Sequence, residues 1–366
     1  MTVRAKLIYG IGVMVVLAGI ILVLIPRWIR NNNIRKQEKL CYQFLLTKMT
    51  TPTGAIKRRL STDDVRMDKE ENSILSESAG LIMLYAVAID DTNEFEKQYK
   101  VVKDIFLGPY GLMCWKIHIP SGKEEKCNAS LDDLRVAQAL ILAYEKWGIE
   151  KYHDLAEGIA DRIRLENVVE DFLTEGCCWD RELESLRTVD LSYLDIEAID
   201  KVSQYQAGWS DIGEQARRLL SKGVMPSGFF YDKYDIRHKE YYNYEQNLIN
   251  NILCAIQAVD VGDNVRNGVY QLLKDEWGKN KKIMGGYNLA TGLPSVDYES
   301  IAVYALAMRL ALEERDVSFA RGLYNKILSW QVMDENSYFY GAFADNEAHS
   351  FDNLQVLLAF AEWRKR

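Results

Sequence analysis

Proline is scarce in this chain, six among 366 residues, and so are cysteine, with six, and histidine, with four. So little proline leaves no rigid Pro-rich spacer, and 23 glycines without a period exclude a collagen-like repeat. Six cysteines cannot staple a chain of this length, so the fold must rest on packing. His118, His153, His238 and His349 show neither HxxxH nor HxxE spacing and no grouping with cysteine, which leaves a transition metal without a ligand set. No GxSxG nucleophile turn and no nucleotide-cofactor fingerprint occurs, so no cofactor is expected. What is present is an ordinary folding composition, 48% hydrophobic and 27% charged, with 21 tyrosines whose flat faces and hydroxyls suit sugar or peptide surfaces.

Charge is uneven. Residues 1–40 carry seven basic side chains against Glu38, so a net charge of −8 splits into +6 there and −14 over the rest. An acidic body excludes nucleic acid as a partner, because phosphates reward the opposite sign. From Leu7 to Pro26 there are 20 residues without a charge, enough for the ~30 Å hydrocarbon core of a bilayer. No small-x-small cleavage site follows; Arg27 and Trp28 come next, and Cys41 is too far downstream for lipid attachment. The sequence therefore predicts an uncleaved single-pass anchor over residues 1–33 and one domain over 34–366. The basic residues after the span would hold that domain in the cytoplasm by the positive-inside rule, but the segment before the span is too short to carry that rule alone.

The domain is repetitive. Apolar helical stretches open at Glu77, Asp132, Asp190, Glu245, Asp297 and Asp352, spaced by 55, 58, 55, 52 and 55 residues. More amphipathic helices alternate with them at about 34–49, 93–107, 150–170, 210–222, 263–277 and 315–331, most followed by a piece rich in glycine and aromatics such as GPYGLMCWKI or SGFFYDKYD. A helix apolar nearly all round must be buried, and an amphipathic one covers it. Six such pairs predict an all-α (α/α)6 toroid of six inner and six outer helices, preceded by the transmembrane helix. An open helical solenoid shares the period, but the count stops at six, which favours closure.

In a closed ring the inner helices run the same way, so their N-termini and the aromatic loops meet at one mouth. Each acid there has an ordinary explanation as a cap favoured by the helix dipole. Gathered together, carboxylates raise one another's pKa and supply a protonated acid beside an ionised base. Paired carboxylates ringed by Tyr and Trp are what glycoside hydrolysis requires.

SESAGLIMLYAV (76–87), GLMCWKI (111–117) and NASLDDLRVAQALILAYEKWG (128–148) resemble successive landmarks of glycoside hydrolase family 8, an inverting family with an (α/α)6 fold. The resemblance implies that Glu77, in the place of the family's Ser-Glu-Gly-x-x-Tyr-Gly-Met acid, is the general acid. It implies a sugar platform at Trp115, in the Leu-x-x-Trp stretch. The family's Ala-Ser/Thr-Asp-Ala/Gly-Asp pattern falls on Ala129 to Asp133: Asp133 keeps the second Asp, to hold the sugar, while Leu131 replaces the first and Asp132 stands beside it. The family's Tyr-Asp-Ala-x-Arg base segment falls on Tyr244 to Leu248, with Glu245 in the place of Asp, so the base is either Glu245 or Asp232 in GFFYD. Tyr231 and Tyr244 are expected to contact substrate.

Cys114 and Cys127 flank a predicted hairpin and are read as either a disulfide or paired core thiols, while Cys177-Cys178 carry no signal. The expected function is an inverting hydrolase of a bacterial exopolysaccharide, with no metal. It would be held by its membrane helix with the domain outside the cell and accompany the polysaccharide synthesis machinery. Two rivals are weighed: a non-catalytic glycan-binding protein on the same barrel, and a polysaccharide lyase or uronyl hydrolase, which an acidic mouth disfavours.

Overall fold

Each repeat of about 55 residues folds as one outer and one inner helix, and burial tells them apart. The computed structural model describes residues 30–62, 72–119, 121–180, 182–244, 247–258, 261–262, 265–288 and 290–366. The expected span Leu7–Pro26 lies outside them, and among the described residues no helix is long and apolar enough to cross a membrane. The outer helices are α1 (30–44), α3 (Thr92–Val101), α5 (Glu150–Glu166), α7 (Trp209–Lys222), α9 (Asn267–Asn280) and α11 (Val317–Leu328). The inner ones are α2 (Ser76–Ile89), α4 (Ser130–Trp147), α6 (Ile196–Ser203), α8 (Leu248–Gln257), α10 (Ile301–Glu313) and α12 (Ser350–Lys365). On α5 the buried residues are Tyr152, Ala156, Ile159, Ala160 and Ile163, one stripe at helical spacing, whereas α10 buries every residue from Ile301 to Met308.

The ring closes. α2 packs on α4, α4 on α6, the 3₁₀ turn Leu191–Tyr193 before α6 on α8, then α8 on α10, α10 on α12, and α12 back on α2. Strand Arg59–Ser61, ahead of α2, also pairs antiparallel with Glu347–His349, just ahead of α12. An open solenoid would leave both ends without these partners.

Three inner helices differ from expectation, the fifth beginning at Ile301 rather than at Asp297. The third, predicted as continuous from Asp190, is a strand, a 3₁₀ turn and a short helix. Asp190 spends its carboxylate on the Ser192 N–H at 2.9 Å, and Asp195 starts α6 by accepting the Ala198 N–H at 3.1 Å. The fourth begins at Leu248 rather than at Glu245, because Asn247 caps it by accepting the Ile249 N–H at 2.9 Å. The aromatic loops form short antiparallel pairings at the mouth. Ser73–Leu75 pairs with Lys116–His118, and Lys233–Asp235 lies between Thr188–Asp190 and Glu240–Tyr242.

One glycine sets the spacing at the site. A Cβ on Gly80 would sit 3.3 Å from Arg135 Cβ and 3.4 Å from Val136 Cγ2, so its absence lets α2 and α4 approach closely just below their first turns.

Candidate active site

The first turns of α2 and α4 are built into each other. Leu75 precedes α2 and has no side-chain acceptor to cap it. Asp132 on α4 supplies one, accepting from the Ser76 hydroxyl at 2.7 Å and from the Glu77 backbone N–H. Glu77 is the next side chain on that turn. Part of its surface is open to the mouth, yet enough protein surrounds the carboxyl to desolvate it. Burial first, and the Asp132 carboxylate second, push Glu77 from its ordinary 4.5 up to about 7, against the pull of Arg135 and Arg58. Asp132 is raised by burial to about 6, opposed by the Ser76 hydroxyl, Arg135 and the Glu77 N–H. Two neighbouring carboxyls surrounded by protein cannot both ionise readily near neutral pH, so the pair holds a proton above the ordinary carboxylate range.

Across the mouth stands Asp232, 5% exposed, whose carboxylate accepts the Tyr244 N–H at 2.7 Å. Its backbone carbonyl accepts the Leu191 N–H at 2.9 Å, which fixes it beside the 3₁₀ turn that carries Tyr193. Burial raises the Tyr193 phenol well above its ordinary value, and the charges that add to this are Asp132, Asp190, Glu77 and Glu175. Tyr193 therefore stands within the field of Glu77 and Asp132 and of Asp190 and Glu175. Asp190 is itself raised to about 6 by burial, against two hydrogen bonds from Ser192. Glu245 lies outside the described residues.

The remaining mouth acids are divided. Asp352 on α12 is raised to about 6 by burial and adds to the field on Glu77. Asp297 is exposed, and Glu299 turns to Lys326 at 2.8 Å and to the Tyr304 hydroxyl. Glu299 therefore does not join the carboxylate cluster.

Asp133 points away from the mouth surface. It has no exposed surface, and its carboxylate accepts the Met113 N–H at 3.2 Å and the Asn128 amide at 2.6 Å. With those bonds made, it anchors the loop that carries Trp115. Trp115 is 37% exposed with the Lys116 ammonium 5.7 Å from its ring centre, and its carbonyl accepts the Ser76 N–H at 3.1 Å, so a part-exposed aromatic ring is tied to the turn that bears Glu77. Tyr231 is half-buried and stacks on Tyr241 with centroids 5.6 Å apart. Tyr244 is 74% exposed with the Lys233 ammonium 5.4 Å from its ring centre.

The disulfide joins Cys127 to Cys178, and not to Cys114. The Cys114 thiol is turned to the Glu125 and Lys116 carbonyls, at 2.9 and 3.2 Å. Because the Trp115 N–H donates to the Cys127 carbonyl at 3.0 Å, the bridge ties the Trp115 loop to the third repeat.

Sequence reasoning missed Tyr193 and Arg135. Both stand three residues beyond an acid it had singled out, Asp190 and Asp132, and three residues is nearly one helical turn.

A helical toroid whose mouth carries a carboxyl with a raised pKa, further carboxylates and part-exposed aromatic rings has the parts of a glycoside-cleaving enzyme. The model of glycosyl hydrolases family 8 matches residues 55–239. YdaJ of Bacillus subtilis (strain 168) is 31% identical over 319 residues, covering 86% of this chain and 84% of that protein. The chain belongs to glycoside hydrolase family 8 and is a glycosidase. Its fold is similar to that of a protein described as a novel alpha-amylase from Clostridium perfringens, with TM-score 0.80, 24% identity and coverage of 90% of this chain and 97% of that one. PssZ from Listeria monocytogenes gives TM-score 0.71 at 20% identity, covering 89% and 94%. The endoglucanase Cel10 from Klebsiella pneumoniae gives 0.66 at 15%, covering 89% and 99%.

Proposed function

We propose that the chain is an inverting hydrolase of a bacterial exopolysaccharide, anchored by Leu7–Pro26 with its catalytic domain outside the cell and working beside the polysaccharide synthesis machinery. The observation that carries the catalytic part is Glu77, a carboxyl pushed up to about 7 at the mouth, beside Asp132 and within reach of exposed aromatic faces. Glu77 protonates the glycosidic oxygen as the bond to the anomeric carbon breaks. Asp232, or Glu245 three residues before α8, takes a proton from the water that attacks the opposite face. Tyr193 stands within the field of Glu77 and Asp132, where its hydroxyl bonds the sugar at the cleaved position or the incoming water. Trp115, Tyr231 and Tyr244 hold flanking rings on their faces.

The outward location is favoured by the Cys127–Cys178 disulfide, since such bridges persist in oxidising compartments. A polymer substrate and an uncleaved span argue the same way, and YdaJ bears a lipoprotein name.

The test of the chemistry is the anomeric configuration of the first product, followed by proton NMR during hydrolysis of defined oligosaccharides. Inversion supports the reading, and retention overturns it. Protease added to intact cells should digest the domain; protection until lysis would place it inside.

A further inference from the structure

The toroid has a second end. Below the first turns, all six inner helices enclose a cavity of about 600 Å³ that reaches Glu313 and Lys365, at the C-terminal ends of α10 and α12. That volume is in the range of small-molecule sites, roughly 300–1,000 Å³. It opens at the C-terminal ends of the inner helices and runs inward to Arg135, whose charge also reaches Glu77 and Asp132.

The cavity is lined by polar groups that the protein itself does not satisfy. Arg135 is 4% exposed, and its nearest ionic neighbour is Asp195, with Nε 3.9 Å from Oδ2, beyond hydrogen-bond length. Asp195 meanwhile caps α6 through the Ala198 N–H. Gln138, one turn along α4 and also 4% exposed, has no side-chain hydrogen bond among the described residues. Gln257 on α8 donates to the Ser192 carbonyl at 2.8 Å, but its amide oxygen is buried with no partner among the described residues. Arg309, in the wall of the same cavity, shows what a completed guanidinium looks like there: Nε donates to Glu362 at 2.8 Å and Nη1 to Gln355 at 3.1 Å. A buried guanidinium offers five donors in a planar fork matched to a carboxylate, and a buried amide oxygen needs a donor.

We propose that this cavity is a second binding site, which takes a small hydroxylated monocarboxylate such as a sugar acid. The carboxylate accepts from Arg135, and hydroxyl groups bond the Gln138 and Gln257 amides. The leucines of α2, α4, α8 and α12 that also line it cover the C–H faces of the ligand. The wall carries five carboxylates, Asp195, Glu197, Asp200, Glu313 and Glu362, against four cations, Arg135, Lys201, Arg309 and Lys365, so a second negative charge on the ligand meets net repulsion.

The test is calorimetric titration of the detergent-solubilised full chain with D-glucuronate and, in parallel, D-glucose. Glucuronate is expected to bind at one site per chain and glucose at least about tenfold more weakly. Gln138→Leu and Gln257→Leu should each weaken glucuronate by about tenfold or more, while Trp115→Ala leaves it unchanged. Arg135→Met should abolish it; since Arg135 also neighbours Asp132, its folding is checked by circular dichroism, and the two glutamine variants decide the matter if it fails to fold. Absence of glucuronate binding, equal affinity for glucose, or binding lost in Trp115→Ala but kept in Gln138→Leu would each overturn the site.

Discussion

The two sides of the catalytic mouth are built to different standards. On the acid side, α2 and α4 are long, brought together at Gly80, joined through Ser76 and Asp132, and strapped by the Trp115 loop and the Cys127–Cys178 bridge. On the far side, α8 has only ten residues, and the loops before α8 and α10 expose Tyr244, Leu293 and Tyr298. The difference follows from what each side must do. A carboxyl keeps its proton near neutral pH only where surrounding protein desolvates it, and that demands rigid packing. A base must meet water and a sugar ring; the far edge exposes aromatic faces for the ring, while Asp232 itself is 5% exposed and held by the Tyr244 N–H.

The largest expected effect breaks the acid side. Glu77→Gln keeps the shape and removes the proton, and should cost about 100- to 10,000-fold in kcat. On the open side, Asp232→Asn and Glu245→Gln should differ sharply: the base loses most activity and the other little. Equal small losses would mean that neither is the base.

Removing the strap is the next test. Cys127→Ser with Cys178→Ser should lower unfolding free energy by about 2–4 kcal/mol, measured by denaturant titration. If Tm and activity are both unchanged, the bridge is dispensable to the acid side.

The acid side also sets a pH dependence. A general acid near 7 must carry its proton, so kcat should fall by up to about tenfold per pH unit above that value. Stability follows with the same sign. Glu77 and Asp132 bind protons more tightly folded, at about 7 and 6, than at their ordinary 4.5 and 3.8, so their contribution is full below about 4 and is lost as pH rises through 6 to 7. Urea midpoints between pH 5 and 8 should decline in the wild type and less steeply in Glu77→Gln. A parallel decline would place the proton elsewhere.

The smallest effect is on substrate holding. Trp115→Ala should weaken oligosaccharide binding by about 1 kcal/mol with Tm preserved, since the ring is exposed. An equal loss of Tm would assign the ring to packing.

Much of this was legible before any coordinates. The period of about 55 residues and the contrast between apolar and striped helices predict the ring, because a helix buried all round has to be surrounded. Glu77 was legible as a first-turn acid beside a family landmark. The surroundings of Asp133 are not legible for a geometric reason: one residue on a helix is a rotation of about 100°, so Asp132 faces Glu77 while Asp133 faces the Met113 loop, and sequence alone does not say which neighbour lies in which direction. The disulfide was illegible because its partners are 51 residues apart and meet only when two loops of the closed mouth are in place.

The contact of α12 with α2 joins residues near opposite ends of the described chain. Such a pairing cannot form on the ribosome until the last helix has emerged, so a nascent chain holds five inner helices with two raw apolar flanks waiting for the sixth. Ring closure is a non-local step that makes folding slow and aggregation-prone when it stalls. A stop codon ahead of Ser350 would therefore do more than shorten the protein: it would leave the face of α2 uncovered and send the product toward chaperones and proteases.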